Sequence, residues 1–311
     1  MHEQIARVMY YFSVQLLYAS MVGAAACVLT SIRGASATTK YLIWVVSAFN
    51  FILPVGALVD RLWPPYLWWG TPLGVIGVWV WDMTHSQMAV VFAAIWMVGA
   101  LAMLLRLISR IRRERREAQS LAAAITESSA ISGFVADGIP VSFGRGHAVP
   151  AVSGVLYPHI SLPIGIERLL SHRELNAVLL HEVVHARRRD NLIRLLYEVS
   201  LCVVWFHPLI WFAGTRMALY RELSCDESVI QRAYGQELIS ALAKLARPEP
   251  ALFLQATASS HLGHRLARLA EGPKMASRAS SLLLTYLFAV ILVTSTFETV
   301  AHTACCFALK H

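Results

Sequence analysis

Residues 181–185 read His-Glu-Val-Val-His (HEVVH), and the rest of the chain is best understood outward from this stretch. On a helix, residues four apart lie on one face, so His181 and His185 can offer two imidazole nitrogens to one metal ion. Glu182 then stands beside the position that such a metal keeps open for water. This spacing is typical of zinc hydrolases.

The residues before HEVVH predict that it lies inside a helix. Ser171 and Glu174 have the spacing of a capping box, and apolar residues follow at helical intervals, namely Leu175, Val178, Leu179 and Val183. The alternative is a core helix that merely carries two histidines. Two histidines one turn apart beside an acid are costly if they serve packing alone, so we favour the metal site.

A catalytic zinc needs a third protein ligand and leaves its fourth position to water. Glu222 is the preferred ligand because Asp226 follows at i+4 on the same helical face, where its carboxylate could hold a ligand histidine from behind. Glu198 and Glu227 lack such a partner. The full set of downstream acidic candidates is Glu198, Glu222, Glu227, Glu237, Asp190 and Asp226.

Four motifs together resemble one known family. They are YPHISLP (157–163), HEVVHARRRD (181–190), WFHPLIWF (205–212) and RELSCDESVI (221–230). They look like the M56 peptidases, integral-membrane zinc metalloproteases of the beta-lactam sensor-transducer type. The resemblance implies Zn²⁺ on His181, His185 and Glu222, with Glu182 as catalytic base. It also implies a cytoplasmic α+β domain of the zincin (gluzincin-like) type.

Other polar residues near these motifs allow two interpretations. His207 could donate a hydrogen bond to the oxyanion of a tetrahedral intermediate, or it could be a structural histidine at the membrane interface. For Asp190 we expect a capping or ion-pair role. The remaining histidines considered have no partner at metal spacing and are expected not to be ligands, namely His159, His172, His261 and His264.

The composition predicts an α-helical membrane protein. Hydrophobic residues make up 57% of the 311 residues, charged residues 15%, and the mean hydropathy is +0.54. The net charge of +8 does not require a nucleic-acid partner, because the arginines cluster beside apolar spans where membrane topology accounts for them. The five cysteines show no spacing typical of a disulfide scaffold.

About four transmembrane helices are expected, at residues 8–32, 41–59, 86–105 and 279–297. Residues 8–32 are too long for the apolar part of a signal peptide. The tryptophan-rich residues 62–81 have the composition of an aromatic belt at the membrane surface.

Six arginines between residues 106 and 116 follow the third span and place what comes next in the cytoplasm. The predicted regions are therefore an N-terminal membrane region (1–108), a cytoplasmic metalloprotease domain (109–278), and the fourth span with a short external tail (279–311). The expected location is the bacterial plasma membrane, crossed several times.

Strand-like runs occur at residues 131–135, 140–143 and 149–157, and the proline-bounded residues 158–163 suit an edge strand. The resemblance to the zinc proteases implies that this edge takes the substrate backbone by strand addition, and the alternative is an ordinary edge of a small sheet. Residues 199–215 are uncharged, but one crossing there would put His185 and Glu222 on opposite sides of the membrane. We therefore expect an interfacial segment, broken near Pro208, that presses the domain against the bilayer.

The leading hypothesis is a membrane-embedded zinc metalloendopeptidase that cleaves a cytoplasmic or membrane-associated protein in regulated proteolysis, such as a transcriptional repressor. Because only residues 298–311 follow the last predicted span, we expect a member without the extracellular sensor domain. The alternative is a non-catalytic signalling or assembly module that retains a structural zinc site. A transporter is disfavoured, since the spans hold almost no ionisable residues. The oligomeric state is left open.

Overall fold

A computed structural model describes residues 2–32, 34–52, 88–127, 134–144, 149–245, 263, 265–266, 269 and 277–308. Within these ranges the chain is mostly helical and carries one small four-stranded sheet. The predicted tryptophan-rich belt at residues 62–81 and residues 53–59 of the second predicted span lie outside the described residues.

Three long helices contain predicted spans or parts of them. They are α1 (His2–Ser31), α3 (Met88–Glu127) and α9 (Arg278–Ala308), and the shorter α2 (Ala37–Phe49) begins at Ser36, whose side chain accepts a hydrogen bond from the Thr39 N–H. In the described part of the chain, one stretch is long and apolar enough to cross a membrane, residues Val90–Arg116 of α3. Shorter apolar stretches are Gln15–Ser31 and Arg278–Thr294.

The sheet contains β1 (Phe134–Ala136), β2 (Ile139–Gly144), β3 (Ala151–Ser153) and β4 (His159–Pro163), in the spatial order β1-β2-β4-β3. The prediction that residues 158–163 form an edge strand is wrong. β4 pairs in parallel with β2 and antiparallel with β3, so it lies inside the sheet. Pro158 precedes the strand and Pro163 is its last residue, where it pairs with Gly144, so no proline stands in the middle of the strand. Ile160 and Leu162 are fully buried.

HEVVH lies within a helix, as predicted. α5 (His172–Arg188) begins with the expected capping box: the Ser171 hydroxyl accepts from the Glu174 N–H, and the Glu174 carboxylate accepts from the Ser171 N–H. α5 ends at Arg189, which adopts the left-handed conformation (φ 56°) and starts α6 (Asp190–Val203) at once. A four-residue helix, α4 (Ile166–Leu169), precedes α5.

The predicted break near Pro208 is present. α6 ends at Val203 and α7 (Pro208–Gln231) begins with the proline at its first turn, where no N–H is needed. Val204 and Ile210, beside the break, are fully buried against α1 and α2, whereas Phe206 and Trp211 are exposed.

α7 joins two hydrophobic cores. Its first half contributes Ile210 and Met217 to a core formed with α1, α2 and α9. Its second half contributes Val229 to a separate core formed by the sheet, α5 and α8 (Gly235–Leu245). Glu222 lies between these two halves, so the position of this residue is fixed by packing at both ends of the helix.

Glu174 generates a pH-dependent stability prediction. Its carboxylate accepts hydrogen bonds from Lys244 (2.7 Å), Ser240 (2.5 Å) and the Ser171 backbone (2.7 Å), which lower its pKa from 4.5 to about 2. We expect Glu174→Gln to lower the free energy of unfolding by about 1–3 kcal/mol at pH 7. This stabilisation is fully present above pH 4.5 and is lost as the pH falls toward 2.

Thermal unfolding of the two proteins in detergent between pH 7 and pH 3 measures this difference. Glu167→Gln, a change at an exposed carboxylate on α4, is the control and should behave as the wild type. A difference between wild type and Glu174→Gln that stays constant over this pH range would contradict the assignment.

Candidate metal centre

Three nitrogen and oxygen donors converge between α5 and α7. His181 Nε2 and His185 Nε2 lie 3.1 Å apart, and Glu222 Oε2 lies 3.5 Å from the first and 3.7 Å from the second. The histidines meet because they are one turn apart on α5, and α7 crosses beside them. The structure therefore brings together the three predicted ligands, His181, His185 and Glu222.

These distances fit a shared zinc ion. Ligand atoms about 2.0–2.1 Å from a tetrahedral zinc are about 3.3–3.4 Å from one another. The three measured separations, 3.1, 3.5 and 3.7 Å, lie close to that value. Two imidazoles and one carboxylate also form a donor set that zinc commonly takes in catalytic sites.

Each histidine has a carboxylate behind it. His181 Nδ1 lies 3.1 Å from Asp226 Oδ1, as predicted, and His185 Nδ1 lies 2.6 Å from Asp190 Oδ2. A carboxylate at Nδ1 fixes the ring and the tautomer, and leaves Nε2 to bind a metal. The contact at His185 is a hydrogen bond, whereas His181 Nδ1 approaches Asp226 without hydrogen-bond geometry, so Asp226 acts on His181 through its charge.

Three arginines neutralise these acids. Arg265 donates two hydrogen bonds to Asp226 (2.8 and 2.7 Å), and Arg188 donates two to Asp190 (both 2.6 Å). Arg221 donates to Glu222 Oε1 at 3.0 and 3.2 Å. At Asp190 and Asp226 the two donors meet both carboxylate oxygens, and such bidentate pairs are strong hydrogen-bonded ion pairs.

The acids around the candidate ligands outnumber the arginines, which favours a bound cation. Glu182, Asp190, Glu222 and Asp226 supply four negative charges, and Arg188, Arg221 and Arg265 supply three positive ones. With neutral imidazoles these seven side chains carry one net negative charge, because each arginine is paired with an acid other than Glu182.

Without a metal, the carboxylates favour protonated imidazoles. Burial disfavours the imidazolium of His181, but Asp226 and Glu222 outweigh it and raise the pKa of His181 to about 9. Burial also disfavours the imidazolium of His185. Its hydrogen bonds with Asp190, Cys225 and Glu222 outweigh burial and raise the pKa of His185. For Glu222 the balance is reversed: burial raises its pKa, and the two histidines and Arg221 lower it well below 4.5.

A cleft of about 540 Å³ opens over the three ligands. Glu182 lines it, and among the described residues its carboxylate makes no hydrogen bond or ion pair. Ala151 and Val152 of β3 form part of the opposite wall. Asn191 donates hydrogen bonds to the carbonyls of Val152 and Gly154, both at 3.0 Å, which fixes this strand beside the site.

The structure does not bring His207 to this cleft. Its Nε2 lies 3.0 Å from the Ser20 hydroxyl and its ring packs on Phe51, within the core formed with α1 and α2. These contacts match the structural interpretation of His207 and give no support to a role at the oxyanion.

The other acidic candidates serve elsewhere. Glu198 binds Arg110 and Arg194, Glu227 accepts from the Ala37 N–H, and Glu237 pairs with Arg173. Of the non-ligand histidines, His159 and His172 lie outside the metal-binding group, and His261 and His264 fall outside the described residues.

Sequence reasoning missed two groups that complete the site. Asp190 was expected to cap or to form an ion pair, and it does pair with Arg188, but it also holds His185. The left-handed Arg189 places this carboxylate beside His185, five residues earlier, and that conformation is visible only in the structure. Arg265, far along the chain, had no local signal.

A second group of possible ligands does not form a separate site. His185, Asp190 and Cys225 lie together, but Arg188 already donates to the Asp190 carboxylate and approaches Cys225 Sγ to 3.3 Å. A guanidinium thus takes the place that a second metal would need. Cys225 is fully buried beside this guanidinium.

We predict that Asp190→Asn and Asp226→Asn each weaken zinc binding by about 10–100-fold, because each removes the charge that orients one histidine. Competition with a chelating dye on the purified protein measures the affinity. Asp137→Asn is the matched control, since its carboxylate is 47% exposed and pairs with Arg187 away from the site. Unchanged affinity in both site variants would show that these acids do not support the metal.

Comparison with known proteins gives a family. The family model described as BlaR1 peptidase M56 matches residues 80–269. The regulatory protein BlaR1 of Bacillus licheniformis is 38% identical over 82 residues, which cover 26% of this chain and 14% of that protein. The methicillin resistance mecR1 protein of Staphylococcus aureus is 24% identical over 152 residues, 47% of this chain and 26% of that protein.

The aligned part thus spans about a quarter or less of these relatives. The family match includes α5, α6, α7 and the three candidate ligands, and it confirms the resemblance drawn from the four motifs. Because it covers more than half of the chain, this protein belongs to the BlaR1 peptidase M56 family.

Proposed function

We propose that this protein is a membrane-embedded zinc metalloendopeptidase whose active site faces the cytoplasm. The observation that carries this proposal is the free carboxylate of Glu182, which lines an open cleft beside His181, His185 and Glu222. A structural zinc site has no need of an acid that lies beside the metal without binding it. The family membership supports peptidase chemistry.

Different residues bind the metal, transfer the proton and position the ligands during hydrolysis. Zinc, when bound by His181, His185 and Glu222, polarises the scissile carbonyl and lowers the pKa of the attacking water. Glu182 accepts the proton from that water and delivers it to the leaving amine. Asp190 and Asp226 hold the two rings so that both Nε2 atoms face the cleft.

The cleft suits an extended peptide. β3 ends the sheet on the side of the cleft, so its outer edge is the place where a substrate backbone could add as a further strand. This replaces β4, which the sequence favoured for that role. Leu238 and Leu242 of α8 line the cleft as well and offer apolar contacts for substrate side chains.

The proposed membrane location rests on α3. Its residues Val98, Leu101 and Leu105 are exposed, as lipid-facing residues are, and six arginines follow between 106 and 116. We propose four spans, a catalytic domain of the zincin type on the cytoplasmic side of a bacterial plasma membrane, and a protein substrate such as a transcriptional repressor. The names of the relatives, a regulatory protein and resistance proteins, support a role in signalling.

Replacement of the base tests catalysis. We expect Glu182→Gln to bind zinc as the wild type does and to lose about 10²–10⁴-fold in the rate of peptide hydrolysis, because it cannot accept the proton. Metal content and cleavage of fluorescently labelled casein, with detergent-purified protein, measure both. A chelator should abolish wild-type cleavage and added zinc should restore it.

Glu167→Gln is the control, since it removes the same charge from an exposed position in the same domain. Equal cleavage by the wild type and Glu182→Gln would exclude Glu182 as the base. If both proteins bind zinc and neither cleaves casein or a co-expressed repressor, the non-catalytic signalling module is the better account.

The orientation is tested by fusions. Green fluorescent protein joined after Glu127 should fluoresce, and alkaline phosphatase joined there should be inactive, because that site is placed in the cytoplasm. After Ala308 the two reporters should give the opposite result, because α9 crosses the membrane once more. Identical behaviour at both positions would contradict the fourth span.

A further inference from the structure

A second cavity lies next to the metal centre, between α3, α6 and α7. It has a volume of about 830 Å³, and we refer to it as the arginine cavity because Arg106, Arg110 and Arg194 form one side of it. No step of the proposed hydrolysis uses it. Its other walls include Leu107, Leu201 and Met103, so it combines a cationic end with an apolar interior.

The cationic end carries an excess of positive charge. Glu198 accepts from Arg110 (2.5 Å) and from Arg194 (3.2 Å), and Glu114 also accepts from Arg110 (2.9 Å). Arg106 is exposed and makes no ion pair or side-chain hydrogen bond with another described residue. Asp190 also lines the cavity but is bound to Arg188 and His185. The three arginines against Glu198 and Glu114 leave one positive charge, which one lipid phosphate would match.

The cavity lies where α3 changes character. Residues 86–105 carry no charged residue, and Arg106 is the first cation after them. Exposed apolar side chains occur on all three helices, namely Leu105 on α3, Leu196 on α6 and Trp211 on α7, and Trp211 lines the cavity. Tryptophan and arginine at the end of an apolar stretch mark the level of lipid headgroups.

We propose that the arginine cavity binds an anionic phospholipid, with its phosphate at Arg106, Arg110 and Arg194 and one acyl chain along the apolar wall. The excess charge selects an anion, and the apolar walls select a molecule with a hydrocarbon tail over a free phosphate or an acidic peptide. The inference rests on the membrane insertion of α3 proposed above. It does not require proteolysis.

The site would be in contact with the catalytic machinery. Arg194 and Arg221 line both the arginine cavity and the cleft over the metal ligands. Arg221 binds Glu222, the third candidate ligand. A lipid phosphate at Arg194 would therefore contact a side chain that also lines the cleft over the metal ligands.

Native mass spectrometry tests the proposal on the full-length protein. Delipidated wild type in an uncharged detergent is mixed with phosphatidylglycerol or with phosphatidylcholine of the same acyl chains, and bound lipid is counted. We expect one phosphatidylglycerol to be retained at concentrations where phosphatidylcholine is not. Each arginine near a lipid phosphate contributes about fivefold in affinity, so Arg106→Gln/Arg194→Gln should weaken binding about 25-fold. The Arg110–Glu198 pair stays intact in this variant.

Two further variants separate a built site from diffuse attraction. Arg113→Gln/Arg116→Gln removes the same charge from exposed positions on the same helix and should bind as the wild type does. Thr215→Phe keeps every arginine and fills the cavity, which Thr215 lines, so it should lose phosphatidylglycerol. Equal losses in the two double variants, or full binding by Thr215→Phe, would overturn the proposal.

The remaining outcomes identify other ligands. Equal retention of the two lipids by the wild type would overturn the anionic-lipid site without use of any variant. Displacement of phosphatidylglycerol by an equal concentration of glycerol phosphate would assign the cavity to a free anion, and displacement by an acidic peptide would assign it to a protein. Release of the protein from membranes by alkaline carbonate would refute the proposed insertion itself, whereas retention without lipid selectivity refutes only the lipid site.

Discussion

A buried carboxylate keeps its charge only where cations or hydrogen-bond donors surround it, and the metal centre depends on this constraint. Asp190 and Asp226 are 3% and 1% exposed. Each faces one histidine and is held by a bidentate arginine, Arg188 in the first case and Arg265 in the second. Loss of either arginine would leave an unpaired charge against a metal ligand. Arg188 also donates to the Arg221 carbonyl of α7 at 3.1 Å, and Asp226 of α7 faces His181 of α5, so these contacts tie α5 and α7 together where Glu222 reaches the histidines.

The same constraint links the centre to an N-terminal helix. Tyr41 of α2 donates a hydrogen bond to Asp190 at 3.2 Å, and the Arg188 guanidinium lies 4.4 Å from the centre of the Tyr41 ring. The first residue of α2, Ala37, donates its N–H to Glu227 on α7. A displacement of α2 thus acts on the carboxylate that holds His185. This contact gives a physical route by which a change in the N-terminal helices could reach the cleft over the candidate ligands.

Much of the site was predictable from local spacing. A helix brings i and i+4 together whatever surrounds it, so His181, His185 and the capping box of α5 followed from the sequence. Glu222 was preferred for its spacing to Asp226, and the structure places it by the histidines. The prediction failed for the edge strand, since strand order depends on pairing between distant segments. It gave no sign of Arg265, whose partner Asp226 lies 39 residues away.

The sequence by itself determined the apolar character of the chain, the HEVVH helix, the helix break at Pro208 and the family, because each is written in composition or in spacing within a few turns. Tertiary structure alone decided that Asp190 supports His185, that His207 lies away from the cleft, that β3 forms its wall and that an arginine-lined cavity adjoins it. These features arise where separate helices and strands pack together. Such a contact cannot be read from one segment, because it forms only when segments far apart in the chain bury their charged and apolar side chains against each other.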